Sequence, residues 1–304
     1  MHPTAALAQA LPLPQRKPPP PIQQPQSQPA PVPKPQAPPL PAGPAQRGQY
    51  LVAAGGCLGC HTATTQGAQP FAGGRELKTP FGTFHGPNIT PHPQAGIGKW
   101  SEADFIRAMR QGVRPDGAHY FPAFPYTSFT GIADADLRDM FAYLKSLPPS
   151  PERSKPHDLR FPFGWRLLVA PWKWLFFTPG PLAADPKRSA AVNRGEYLTV
   201  ALGHCGECHT PRNFFGAKKQ SRHLGGTKQG PEGKAIPNIT QTRLKKWDDA
   251  DLKGFLESGL TPDGDVVGET MGEVIRETTS KLTAADLAAM LAYLRAVPAQ
   301  PEPE

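Results

Sequence analysis

Two pentapeptides hold the residues best suited to chemistry in this chain: Cys57-Leu58-Gly59-Cys60-His61 and Cys205-Gly206-Glu207-Cys208-His209. Together they contain all four cysteines of the sequence. The pattern C-x-x-C-H is typical of c-type haem attachment, in which both thiols form thioethers to the porphyrin. Two thiols three residues apart on a helical turn face one edge of the macrocycle, and the next residue lies under the iron. The sequence therefore predicts two covalently bound haem c groups, attached at Cys57, Cys60, Cys205 and Cys208, with His61 and His209 as proximal iron ligands.

Two other uses of cysteine pairs fit less well. The paired knuckles of a structural zinc site usually lie some tens of residues apart, whereas 148 residues separate Cys57 from Cys205. A thioredoxin-type dithiol needs a surrounding βαβ pattern, and neither pentapeptide has one. Haem attachment is the better interpretation of both.

Several further motifs recur 147 to 150 residues apart. Pro87-Asn88-Ile89-Thr90 returns as Pro237-Asn238-Ile239-Thr240, and Lys99-Trp100 returns as Lys246-Trp247. Recurrence in the same order indicates a duplicated domain. We expect a Pro-rich tail at 1–46, a first domain at 47–150, an aromatic-rich linker at 151–190, a second domain of the same kind at 191–298 and a short tail at 299–304.

The N-terminal stretch has a different composition from the rest. Residues 1–46 contain sixteen of the forty prolines and no acidic residue. Such a segment cannot bury a core, so we expect it to be disordered or polyproline-like, as a tether or as a dispensable tail. No apolar signal-peptide core precedes Ala8-Gln9-Ala10, although haem attachment of this kind requires export. A start codon assigned too late, or export by a partner, would explain this, and we expect a periplasmic protein, with membrane association as a possibility.

The chain carries a formal charge of +8 with a pI near 9.4. Its basic residues are scattered and form no cluster interleaved with aromatic residues, which argues against nucleic acid as a partner. A basic surface suits docking to acidic redox proteins. The aromatic stretch 161–179 is too interrupted by charge and proline to span a bilayer, so it predicts either a packed linker or a surface for a partner or membrane interface.

The apolar periodicity predicts an all-α protein with two tandem helical domains. Leu137, Met140 and Leu144 lie at helical spacing, as do Leu287, Met290 and Leu294 in the second half. No long alternating apolar run indicates a sheet.

The distal iron ligands are predicted from the loop that precedes the last helix of each half. A Met thioether in this position stabilises ferrous iron, and Met271 is the Met of the second loop. The first loop, residues 112–133, contains no Met, so His119 is the best candidate there and an open five-coordinate iron is the alternative. Four further residues are predicted to contact the histidine or the haem: Pro87 and Pro237 as carbonyl acceptors for the proximal histidines, and Trp100 and Trp247 as donors to a propionate.

These motifs resemble the cytochrome c subunits of membrane-bound bacterial alcohol, aldehyde and sugar dehydrogenase complexes. The resemblance covers roughly residues 47–298 and rests on five segments: 87–90, PNIT; 96–100, GIGKW; 112–117, GVRPDG; 120–129, YFPAFPYTSF; and 203–212, GHCGECHTPR. It implies two tandem class I-like cytochrome c domains, at 47–150 and 191–298. It also implies a cytochrome without substrate chemistry of its own, which takes electrons from a dehydrogenase catalytic subunit and passes them to quinone or a terminal oxidase. Family members often have Met where Phe124 or Ile132 stands here, so the sixth ligand of the first haem is left open.

A haem enzyme is the alternative from a different functional class. An open iron beside His61 would bind peroxide or another small molecule, with the second haem supplying electrons. The apolar loop around Phe121 and Phe124 offers no evident acid–base pair, and His85 or His119 would have to serve.

Overall fold

A computed structural model of the chain describes residues 43–230 and 233–303. The predicted disorder of the Pro-rich tail falls almost wholly on residues outside that range. Within it the protein is mainly helical, and α1 begins at Pro44, because proline is favoured in the first turn of a helix. The helices are α1 Pro44–Ala54, α2 Cys57–His61, α3 Glu102–Gln111, α4 Tyr126–Phe129, α5 Asp134–Ser146, α6 Val169–Phe176, α7 Ala190–Glu196, α8 Gly206–His209, α9 Gln241–Leu244, α10 Asp249–Ser258, α11 Glu269–Glu277 and α12 Ala284–Ala296. Short 3₁₀ turns occupy Arg166–Leu168, Gln220–Arg222 and Thr279–Lys281, and α7 continues as a π-helix over Tyr197–Leu202.

A small antiparallel sheet interrupts the helices. Strands β1 (Glu76–Thr79) and β2 (Gly82–His85) form a hairpin, and β3 (Asp158–Leu159) pairs with the other side of β2. The prediction of a helical protein is confirmed, and this small sheet is a local addition that the sequence did not indicate. Strands of two to four residues are too short for an alternating apolar pattern to be read from the sequence.

In each half the first long helix crosses the last one at a glycine. A Cβ atom added to Gly48 of α1 would lie 1.8 Å from the carbonyl oxygen of Asp139 in α5. A Cβ atom added to Gly195 of α7 would lie 1.9 Å from the carbonyl oxygen of Ala289 in α12. The two halves therefore repeat one helix crossing, in which glycine lets two backbones touch.

We expect Gly48→Ala to lower the free energy of unfolding by at least about 3 kcal/mol, because the added methyl group would overlap backbone that cannot move alone. Urea unfolding of the haem-loaded protein measures this. Gly254→Ala in α10 is the control. A Cβ atom there meets nothing within 4 Å, so alanine should stabilise its helix by about 0.5–1 kcal/mol. Equal effects of the two substitutions would contradict the close crossing.

The core is shared between the two halves. One buried cluster combines Leu51, Met140 and Ile132 of the first half with Leu202 and Met290 of the second. Another cluster lies within the second half, around Leu252, Leu287 and Leu294.

Two hydrogen bonds are exchanged between the halves. The hydroxyl of Tyr50 in α1 donates to Asp286 in α12, at 2.6 Å. The equivalent tyrosine of the second half, Tyr197, donates to Asp136 in α5. Burial, together with the Asp286 carboxylate, raises the pKa of Tyr50 to about 12, so this hydroxyl stays protonated as a donor. Each half therefore anchors its first helix on the start of the other half's last helix.

The aromatic segment 161–179 is partly packed and partly open. Val169 is buried beside Phe84 and Phe121, and the indole nitrogen of Trp172 donates to the carbonyl oxygen of Phe215 at 2.8 Å. Other large apolar side chains of this segment are exposed, with Trp174 83% and Leu167 86% accessible. Among residues 43–230 and 233–303, no helix combines the length and apolarity needed to cross a bilayer.

Candidate haem-binding sites

The first cysteine motif forms a helix of its own. α2 begins after Gly56, whose φ of +63° is in the left-handed region that glycine adopts without strain. Burial raises the pKa of the Cys57 thiol to about 12, and burial also raises that of Cys60 against the opposing charge of Arg75. Cys57 and Cys60 form no disulfide bond, and neither do Cys205 and Cys208. All four thiols are therefore available for thioether formation.

Both motif histidines hold the same orientation through one hydrogen bond. His61 Nδ1 lies 2.7 Å from the carbonyl oxygen of Pro87, and His209 Nδ1 lies 2.8 Å from that of Pro237. A carbonyl oxygen only accepts, so Nδ1 must carry the proton and Nε2 keeps its lone pair. Burial lowers the pKa of both imidazoles, which keeps them neutral. Each ring is thus in the tautomer that can bind iron through Nε2.

The repeated Pro-Asn-Ile-Thr motif fixes the carbonyl that accepts this bond. The side-chain nitrogen of Asn88 donates to the carbonyl oxygens of Ser150 and Glu152 at 2.9 and 2.8 Å. Its side-chain oxygen accepts from the backbone nitrogen of Thr90 at 2.9 Å. In the second half, Asn238 makes the corresponding bonds to Gln300 and Thr240 at 2.8 Å. Sequence reasoning chose the prolines and missed the asparagines. Their exact repetition was the available signal, and the partner carbonyls lie about 62 residues away.

A cavity of about 860 Å³ opens beside the first motif. Its wall contains Cys57, Cys60, His61, Pro87 and Trp100, all of which sequence reasoning had selected. The remaining wall is largely apolar and includes Phe105, Met109, Phe121, Phe124, Phe129 and Met140. This volume is in the range of cofactor pockets, and an apolar lining with a few polar groups suits a porphyrin. The residues present therefore fit a haem attached at Cys57 and Cys60.

The structure does not bring His119 to this cavity. Its Nδ1 lies 3.1 Å from the ammonium nitrogen of Lys173, and its backbone carbonyl accepts from Arg166. The histidines that do reach the wall besides His61 are His85, His157 and His204. Sequence reasoning had considered only His85 among these three. His157 lies in the linker and His204 in the other half, so only the tertiary fold could place them here.

Two methionines of the wall are part of the packed core. Met109 and Met140 are 4% and 0% exposed and belong to the shared apolar cluster. This agrees with their helical spacing in the sequence.

The second motif lies over the second apolar core. His209 is buried, and Cys205 packs against the buried leucine cluster of the second half, as do Ile239 and Trp247. The Trp247 ring stands edge-on to Phe255 at 5.2 Å between centroids. Met271 is half-buried in α11, and this helix also contacts α2 of the first motif. The predicted ligand Met271 is thus carried by a helix at the boundary between the halves.

The two motifs lie near one another, because a Cβ atom added to Gly56, just before the first motif, would lie 3.8 Å from Nε2 of His204, just before the second. Burial raises the pKa of the Cys208 thiol to about 11, and the nearby groups that add to this shift include Glu207 and Cys60 of the first motif. Glu207 is itself buried, which alone would raise its pKa, yet the charges of Lys218 and Arg212 lower that pKa to about 2. A charged carboxylate therefore sits between the cysteines of the second motif.

Comparison with known proteins extends these observations. Residues 45–148 match the family model described as cytochrome c. A "diheme cytochrome c-type" protein of Cereibacter sphaeroides is 45% identical over 266 residues, which cover 84% of this chain and 87% of that relative.

Two other relatives are cytochrome subunits of dehydrogenases. The cytochrome c subunit of the quinone alcohol dehydrogenase of Gluconobacter oxydans is 38% identical over 271 residues, and the fructose dehydrogenase cytochrome subunit of Gluconobacter japonicus is 38% identical over 259. Both alignments cover 84% of this chain, but only 55% and 53% of these relatives. With two C-x-x-C-H motifs, two correctly oriented histidines and these similarities, the chain belongs to the cytochrome c family, among the dihaem c-type cytochromes related to the cytochrome subunits of dehydrogenase complexes.

Proposed function

We propose that this chain is a dihaem electron-transfer subunit without substrate chemistry of its own. Two tandem class I-like cytochrome c domains, 47–150 and 191–298, each hold one haem c and are joined by the segment 151–190. The observation that carries the proposal is the pair of hydrogen bonds from His61 and His209 to Pro87 and Pro237. When bound, the haem iron supplies one-electron transfer by cycling between its ferric and ferrous states.

The residues of the chain have separate tasks in this proposal. Cys57, Cys60, Cys205 and Cys208 fix the two groups covalently, and the proline carbonyls orient the proximal imidazoles. The aromatic wall of the first cavity keeps water away from the haem, and such burial is one of the factors that set a haem's reduction potential. Met271 is proposed as the distal ligand of the second haem, and Trp100 and Trp247 as donors to the propionates.

The proposed electron donor is the catalytic subunit of a dehydrogenase, and the acceptor is quinone or a terminal oxidase. Support comes from the names of the relatives, which include cytochrome subunits of alcohol and fructose dehydrogenases. The net charge of +8 favours encounter with acidic partners. We place the protein in the periplasm, and the exposed Trp174 and Leu167 support association with a membrane surface or partner.

A second candidate, a peroxidase-like haem enzyme, is favoured by one feature of the first cavity. The loop 112–133 contains no Met that could fill the distal position of the first haem. His85 and His157 lie in the wall of the cavity. The Nδ1 atom of His85 is buried without a hydrogen-bond partner among the described residues. In this candidate function, the histidines of the wall would have to supply the acid–base chemistry.

The chain matured in a host that attaches c-type haem tests these proposals. Mass spectrometry of the denatured protein should show two added haem groups, and potentiometric titration should resolve two one-electron steps. Low-spin spectra of both haems, with no carbon monoxide binding, would support the carrier. A high-spin first haem that binds carbon monoxide and turns over peroxide would favour the enzyme, and absence of attached haem would overturn both.

A further inference from the structure

The carboxylate of Glu207 occupies an unusual place between the two cysteines of the second motif. Its side chain is only 10% exposed, although a buried charge is costly unless it is paired. Its oxygens lie 2.7 Å from the Lys218 ammonium and 2.6 Å from the Arg212 guanidinium. Haem attachment does not require a carboxylate there, since Gly59 fills the same place in the first motif.

The same carboxylate also binds the other half of the chain. The hydroxyl groups of Ser128 and Thr127 in α4 donate to it at 2.7 and 3.0 Å. The Lys218 ammonium donates to the Ser128 hydroxyl as well, at 2.8 Å, which closes the network. The next residue of α4, Phe129, stands in the wall of the first cavity. Glu207 thus joins the second motif to the wall of the first haem site.

A second contact runs in parallel with this network. The His204 ring lines the first cavity and packs edge-on to Phe129, at 5.3 Å between ring centroids. His204 directly precedes Cys205 of the second motif. The two haem sites therefore meet along one short stretch of chain, residues 204–207.

The first motif has a carboxylate at the corresponding place, but the other half supplies it. A Cβ atom added to Gly59 would lie 3.2 Å from an oxygen of Glu273 in α11, and Glu273 pairs with Arg75 at 2.8 Å. Each motif is therefore covered by a carboxylate–cation cluster at the boundary between the halves.

We propose that the negative charge of Glu207, held in place by Ser128 and Thr127 of the other half, lowers the reduction potential of the second haem. The proposal rests on the proposed function above. A negative charge in a poorly solvated site favours the ferric form, which carries one more positive charge than the ferrous form. The positive charge of Lys218, on the same Glu207 oxygen that Ser128 and Thr127 bind, acts in the opposite direction and raises this potential.

Two variants that remove charges of opposite sign test this proposal. Spectroelectrochemical titration at one neutral pH measures the reduction potentials of both haems in each variant. Glu207→Gln keeps the shape and the acceptor oxygen but removes the charge. It should raise the potential of the second haem by at least about 30 mV, a threefold change in the ratio of reduced to oxidised haem. Lys218→Met should lower the potential. A role in packing alone would not produce shifts of opposite sign.

Two further variants separate charge from contact. Ser128→Ala keeps the carboxylate and should move the potential by less than half as much as Glu207→Gln. Glu257→Gln, an exposed carboxylate on α10 paired only with Lys253 among the described residues, should leave both potentials unchanged. If Ser128→Ala reproduces the whole shift, or if Glu207→Gln and Lys218→Met shift the potential in the same direction or not at all, the inference is wrong. Loss of haem from the unmodified chain would instead contradict the proposed function.

Discussion

Replacing Cys205 and Cys208 together with alanine is expected to reduce the covalently attached haem from two groups to one. Neither thioether can then form at the second motif, while Cys57 and Cys60 remain in place. Denaturation followed by mass spectrometry measures the attached haem, and the absorbance of the reduced protein per chain should fall by about half. His209 would remain beside Pro237, so any haem still bound at this site would be extractable into acid and organic solvent.

The reciprocal variant, Cys57→Ala with Cys60→Ala, is the matched control. It should also leave one attached haem, but the remaining signal should belong to the second site and shift with Glu207→Gln. The two-site prediction fails if either double variant keeps both haems or loses both while its helical circular dichroism stays native. Measuring folding alongside haem content is necessary, because the apolar wall of the first cavity would be partly exposed without its cofactor.

Met271→Ala is expected to produce the second large effect, a lower potential at the second haem. A thioether ligand stabilises ferrous iron, so its loss should lower this potential by more than about 60 mV, which is more than a tenfold change in the reduced-to-oxidised ratio. The open coordination position should also let the reduced second haem bind carbon monoxide. Potentiometry and carbon monoxide difference spectra measure the two consequences separately.

Met290→Leu is the control for Met271→Ala. Met290 is 3% exposed in the shared core, and leucine conserves most of its volume. The reduction potential and the carbon monoxide binding of the second haem in Met290→Leu should match those of the unmodified protein. An unchanged potential in Met271→Ala would show that another group binds the iron at the second site.

The parts of the site that could be predicted from sequence are local ones. Cys57, Cys60 and His61 are within one helical turn, so their spacing alone defines the attachment chemistry. Pro87 and Pro237 could be proposed because a proximal histidine needs a carbonyl acceptor and the motif repeats. The helix that contains Met140 followed from apolar periodicity.

The parts that could not be predicted depend on distant contacts. His204 and His157 reach the first cavity from the other half and from the linker, and nothing in their neighbours indicates this. His119 seemed suitable from its loop position, yet its ring faces Lys173 instead. Glu207 was visible in the motif, but its partner Ser128 lies 79 residues away. Pairing over such distances leaves no periodic signal in a single sequence.

The exchanged tyrosine bonds have a consequence for how the two halves stay together. Tyr50 on Asp286 and Tyr197 on Asp136 are the same contact made twice with the partners interchanged, as in an isologous dimer of identical subunits. Two separate copies of one half would make these bonds only by self-association, which depends on concentration. Within one chain the two halves are tethered, so they stay adjacent at any dilution.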